Sequence, residues 1–147
     1  MMDALVPMAR TSSDSPGPLE MEANTGGDRL VLVVDDEADL VQIVSDRLAA
    51  AGYRVLTARD GIEALASVRE AQPGCIILDL KMPRLSGFEA LPAIRQAAPA
   101  ARVIVLTGSP NRPLRDECRA RGADDFMLKP FDPGELLRLT AQAFRRD

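Results

Sequence analysis

Histidine is missing from all 147 residues. That absence removes Ser-His-Asp chemistry, histidine-paired cysteine nucleophiles and imidazole metal sites, leaving carboxylates, hydroxyls and lysine to carry any reaction. Lysine is itself scarce, since only Lys81 and Lys129 are lysines among the 18 basic residues. Cysteine is limited to Cys75 and Cys118. They lack CxxC spacing and Cys75 opens an apolar run, so both read as small buried residues of a reduced protein, a structural disulfide being the weaker reading. No apolar run approaches the roughly 20 residues that a membrane helix needs, and Met1 to Arg10 lacks a basic stretch leading into a long apolar one, so a cytoplasmic protein is expected. An excess of basic charge is lacking too, and the net charge of -4 argues against general affinity for nucleic acid or for an anionic membrane.

What is present suits one soluble domain with a sizeable core: 46% of the residues are hydrophobic and 27% charged. Residues 11–28 concentrate Ser, Thr, Pro, Gly and acids without periodicity, so 1–28 is expected to be a flexible tail and 29–147 the folded domain. From Leu30 onward, apolar runs at about 30–35, 54–57, 75–78, 102–106 and 125–128 alternate with helical patterns, the signature of βα units around a parallel sheet. Leu40, Ile43, Val44, Leu48 and Ala51 keep helical spacing up to Gly52. Asp60 with Glu63, and Ser86 with Glu89, form capping-box patterns. They open helices carrying Ile62, Leu65 and Val68, and Phe88, Leu91, Ile94 and Ala98. Pro92 inside the second of these predicts a kink or a shortened element. Pro110 and Pro113 predict that the next helix, with Leu114 and Cys118, begins late and frays, and the stretch 108–116 is expected to be mobile. The last helix has Asp132 as N-cap, Pro133 at its first position and Glu135 reaching back, with Leu136, Leu137, Thr140, Ala141 and Phe144 on its buried side.

Four of the five strand runs end in chemistry. Leu30 to Val34 leads into Asp35 and Asp36, Cys75 to Leu78 into Asp79, Arg102 to Leu106 into Thr107, and Asp125 to Leu128 into Lys129. In an open parallel sheet these ends share one edge, beside the crevice where ligands bind. Crowded carboxylates raise one another's pKa unless a cation sits among them, and Mg²⁺ favours such hard oxygen ligands. Asp36 and Asp79 are candidate direct ligands, with Asp35 acting mainly through water. Asp79, alone at the end of its strand, is the candidate nucleophile toward phosphorus, with Mg²⁺, the Lys129 ammonium and the Thr107 hydroxyl available for the three equatorial oxygens. Singly, each residue has a plainer reading: Asp36, Glu37 and Asp39 as acids at a helix N-terminus, Asp79 as a loop acid, Thr107-Gly108 as a turn, Lys129 as a solvated charge. All four together at strand ends do not.

VLVVDDE (31–37), LDLKMPRLSG (78–87), VIVLTG (103–108) and GADDFMLKPF (122–131) resemble, in order and spacing, the receiver domain of two-component response regulators over about residues 29–147. The resemblance implies a flavodoxin-like, doubly wound parallel sheet in order 2-1-3-4-5 with five helices. It implies that Asp79 is phosphorylated, that Asp35, Asp36, Asp79 and the main-chain carbonyl of Lys81 serve Mg²⁺, and that Lys129-Pro130 is a cis bond. Thr107 and Phe126 would be switch residues, although Phe126 reads equally well as core packing at an edge strand. Lys81 and Ser109 would govern the access of water. The partners implied are a sensor histidine kinase or histidine phosphotransfer protein and a downstream protein met through the 108–145 face. Dimerisation through the fourth and fifth helices stays open. With the chain ending at Asp147, a stand-alone receiver is expected, a signalling phosphoacceptor catalysing only its own phosphorylation and dephosphorylation; a receiver cut from a larger protein is the alternative. A haloacid-dehalogenase type phosphatase would need a second acid where Lys81 stands, and a module working unphosphorylated would not need the full set.

Overall fold

In the computed structural model the described residues are 29–108 and 111–145. The expected tail over 1–28, together with Ser109 and Pro110, lies outside them. Five strands alternate with five helices: β1 Leu30–Val34, α1 Ala38–Ala50, β2 Arg54–Ala58, α2 Gly61–Ala71, β3 Cys75–Asp79, α3 Gly87–Ala97, β4 Arg102–Thr107, α4 Arg112–Arg121, β5 Asp125–Leu128 and α5 Pro133–Ala143. All strand pairs are parallel and the sheet order is β2-β1-β3-β4-β5, so the doubly wound α/β architecture expected from the sequence is the one adopted. Every residue of β1 and β3 is buried, because helices cover both faces of the sheet.

Side chains two apart along a strand share a face, and the core divides accordingly. Leu32, Val34, Ile76, Leu78, Val103 and Val105 pack with Ala64, Val68, Leu91, Ile94 and Cys118 from α2, α3 and α4. Val31, Val33, Ile77, Ile104 and Leu106 pack with Val44 and Leu48 from α1 and Leu136 and Leu139 from α5. Helical spacing identified these faces well but not their edges. Ile43 and Ile62 are more than half exposed, and on α5 Ala141 faces solvent while Leu139 is buried. Both cysteines are buried free thiols.

The helix starts show what local chemistry decides. Ser86 and Glu89 close a full capping box, Glu89 N–H donating to Ser86 Oγ at 3.1 Å and Ser86 N–H to Glu89 Oε1 at 3.2 Å. At α2, Asp60 Oδ1 accepts from Glu63 N–H at 2.9 Å, but Glu63 reaches one residue further back, to Arg59 N–H. α3 runs unshortened through Pro92, which is exposed, so water can take the carbonyl that the proline leaves without its donor. α4 starts earlier than expected, at Arg112, because Asn111 caps it by accepting from Leu114 N–H at 3.0 Å. Pro113 falls in the first turn, where no N–H is needed. Glu135 does not reach back in α5: Arg138 holds it through two hydrogen bonds of 3.1 and 2.6 Å.

Two ties position the loops. Gly87 N–H donates to Leu80 O at 3.1 Å, and a Cβ at Gly87 would collide with the Asp79 main-chain carbonyl. Only glycine lets α3 begin directly against the end of β3. Buried Asp60 pairs with Arg84, a non-glycine residue at φ 65°. At the amino edge of the sheet, Arg95 donates to the carbonyls of Ala98, Pro99, Ala101 and Gly122 and to the Asp124 carboxylate.

Candidate functional site

The registers bring four strand ends into one row. Val34 lies opposite Leu78, Asp79 opposite Leu106 and Thr107 opposite Leu128, so the residues that terminate β1, β3, β4 and β5 are lateral neighbours. The ladder is prolonged by Lys129 N–H donating to Thr107 O at 2.8 Å and Asp35 N–H donating to Ala58 O at 3.1 Å. These bonds fix where the next side chains emerge. Asp35, Asp36 and Asp79 each offer one carboxylate oxygen, all within 4.8 Å of one another. Lys129 Nζ reaches over them, 2.9 Å from Asp35 Oδ2, 3.1 Å from Glu37 Oε1 and 3.4 Å from Asp79 Oδ1.

Three carboxylates therefore meet one ammonium, and a fourth, Asp36, lies beside two of them. Asp35, Asp79 and Thr107 are buried, whereas Asp36 is exposed on the rim of a cleft also lined by Glu37, Lys81, Gly108 and Lys129. Burial first, and then the negative charge of Asp35, push the Asp79 carboxyl up from 3.8 to about 6, although the Lys129 ammonium and the Lys81 backbone N–H pull the other way. Burial opposes the charge on Lys129. Hydrogen bonds to Asp35 and Glu37 and the charges of Asp79 and Asp35 outweigh it, so Lys129 titrates above the ordinary lysine value. An excess of acid around a nearly dry carboxylate, with the exposed acids Asp36 and Glu37 at the mouth, suits a hard divalent cation that keeps part of its water.

Of the residues singled out in the sequence, Asp35, Asp36, Asp79, Thr107 and Lys129 share this cleft. Lys81 lies on its rim, its N–H directed to Asp79 and its side chain exposed. The Lys129-Pro130 peptide bond is cis. Phe126 lies outside the cleft, half-buried on β5 against the cluster beneath α2, α3 and α4, with the Arg115 guanidinium 5.1 Å from its ring centroid. Ser109 is outside the described residues. Glu37 was legible only as an acid at a helix start. Its signal was the third acid of the DDE run in a chain with two lysines, but its contact with Lys129 spans 92 residues and needed the fold.

The model for the response regulator receiver domain matches residues 31–141. The chain is 40% identical over 116 residues to the probable transcriptional regulator ycf27 of Guillardia theta, covering 79% of this chain and 45% of that protein. It spans about half the length of the curated relatives it matches. Among solved structures, the chemotaxis protein CheY4 of Vibrio cholerae superposes with a TM-score of 0.74 at 37% identity, covering 79% of this chain and 98% of that one. The CheY of the CheX-CheY-BeF3-Mg complex from Borrelia burgdorferi gives a TM-score of 0.74 at 28% identity, covering 80% and 90%.

Proposed function

The chain belongs to the response regulator receiver domain family of two-component systems, and on that premise we propose that it is an Mg²⁺-dependent switch phosphorylated on Asp79. The observation that carries the reading is the cleft itself: a buried carboxylate 3.4 Å from a lysine ammonium, with two further aspartate oxygens within 4.8 Å. Asp36, Asp79, the Lys81 carbonyl and, through water, Asp35 would hold Mg²⁺. The ion supplies charge neutralisation for the acids and for the phosphoryl oxygens. The donor set fits it, being oxygen only and rich in acid, and the BeF3 and Mg named for the similar Borrelia complex support the assignment.

The chemistry left to the protein is positioning. An Asp79 carboxylate oxygen bonds to the phosphorus of a phosphohistidine on a sensor kinase or phosphotransfer protein while the P–N bond breaks, its electron pair leaving on the imidazole. Lys129 and the Thr107 hydroxyl face the phosphoryl oxygens as charge spreads over them. Thr107 ends β4 beside Leu128 of β5, two residues beyond the pairing of Val105 with Phe126, so a shift of its hydroxyl toward the phosphoryl group loosens the packing at Phe126. The face of α4, β5 and α5 then presents a different surface to a downstream protein. The aromatic has no hydroxyl to tether it inward.

The test is treatment of the whole chain with a small phosphodonor and Mg²⁺, followed by intact mass and peptide mapping. One added phosphate on Asp79, lost in Asp79→Ala and suppressed by EDTA, is the expected result. Labelling undiminished in Asp79→Ala would remove the reading.

A further inference from the structure

We propose that Glu37 is a positioning residue that occupies the Lys129 ammonium in the resting state and must release it when a phosphoryl group arrives on Asp79. The proposal rests on the phosphorylation reading above and assigns it a regulator. An ammonium has three protons to donate. Here Asp35 accepts at 2.9 Å and Glu37 at 3.1 Å, while Asp79 lies in ion-pair contact at 3.4 Å. The contact to the reacting carboxylate is the longest of the three. A phosphoryl oxygen that needs Lys129 has to share or displace one of the other two.

Exposure decides which one yields. The Asp35 side chain is 3% exposed and Glu37 64%. Asp35 is also tied by Glu37 N–H, which donates to its Oδ1 at 3.0 Å. Withdrawing the ammonium from Asp35 would strand a buried charge, whereas water replaces it at Glu37. Glu37 has somewhere to go as well. It is the N-cap residue of α1 and its side chain makes no cap hydrogen bond, so the first-turn N–H groups of α1 offer the released carboxylate a second favourable position. Glu37 thus has two seats, one on Lys129 and one on the helix end, and charge on Asp79 selects between them.

The contact and the mere charge separate in two variants. Glu37→Ala removes both; Glu37→Asp keeps the charge but is one methylene too short to span the same gap. At saturating Mg²⁺, established by titration for each variant, both are expected to raise the affinity for beryllofluoride and to slow loss of phosphate from Asp79 by up to about five-fold, the size of an exposed ion pair. A double-mutant cycle of Glu37→Ala with Lys129→Met in urea and EDTA, where no phosphoryl group is present, is expected to show coupling. Glu37→Asp behaving as wild type would mean that charge alone acts, and absent coupling would mean that the contact carries no energy; either overturns the proposal. If wild type takes up no phosphate while the cycle shows coupling, the phosphorylation reading fails and the ion pair stands as structural.

Discussion

Replacing Asp79 by asparagine removes one negative charge from a cleft where three carboxylates meet one ammonium, and the outcome is set by the cost of ionising Asp79 in the fold. Moving that carboxyl from 3.8 to about 6 costs the folded state roughly 3 kcal/mol once the group is ionised. Water reaching the cleft mouth reduces this, so Asp79→Asn is expected to be more stable than wild type by about 2 kcal/mol at pH 8 in EDTA. The direction with pH follows from proton counts. Between 3.8 and about 6 the folded chain holds a proton on Asp79 that the unfolded chain has lost, so wild-type stability falls as pH rises through that window. The advantage of the variant vanishes below it and is complete above it. A histidine-free sequence makes this readable, because no imidazole titrates in the same range. Urea denaturation of both proteins from pH 4 to pH 8 measures it. Mg²⁺ should reverse the order, since a ligand that binds the native wild type stabilises it by mass action while the variant has lost a ligand oxygen. A variant whose advantage over wild type is no larger at pH 8 than at pH 4 would refute the electrostatic account of the cleft.

Other perturbations test the supports of the site. Gly87→Ala drives a methyl group into the Asp79 carbonyl and is expected to cost about 1–3 kcal/mol in urea and to weaken Mg²⁺ binding, because the loop after β3 must shift. Arg84→Ala leaves the buried Asp60 carboxylate without its ion pair, an expected loss of about 1–3 kcal/mol. Arg84→Gly should lose less, by about 1 kcal/mol, since glycine takes φ 65° without a Cβ penalty; equal losses in the two variants would discount the backbone contribution. Arg115→Ala removes the cation above Phe126, with an expected cost of about 0.5–1 kcal/mol. It should leave Mg²⁺ affinity unchanged, because neither residue lines the cleft.

Much of this protein was written locally. Short apolar runs bounded by polar residues placed all five strands, and Asp60, Ser86 and Asp132 marked three helix starts, because strand runs and capping are short-range consequences of backbone geometry. Asn111 was overlooked for the same local reason: two nearby prolines argued for a late start, and the accepting amide outweighed them. Ile43, Ile62, Ala141 and Leu139 depart from expectation because a helix face has no sharp edge until a particular neighbour covers it.

Strand-end chemistry, from Asp35 and Asp36 through Asp79 and Thr107 to Lys129, could be read along the chain because parallel strands must share a carboxyl edge. Sequence order alone could not say that Lys129 would meet Glu37, nor that Asp79 would sit dry enough to resist ionising, nor that Phe126 would be covered by Arg115. Those properties come from side chains separated by many residues entering one volume, and only the register of the assembled sheet sets their distances. Residue type and period therefore determined which groups this protein has and which edge they occupy, while packing decided which of them touch and what charge each carries.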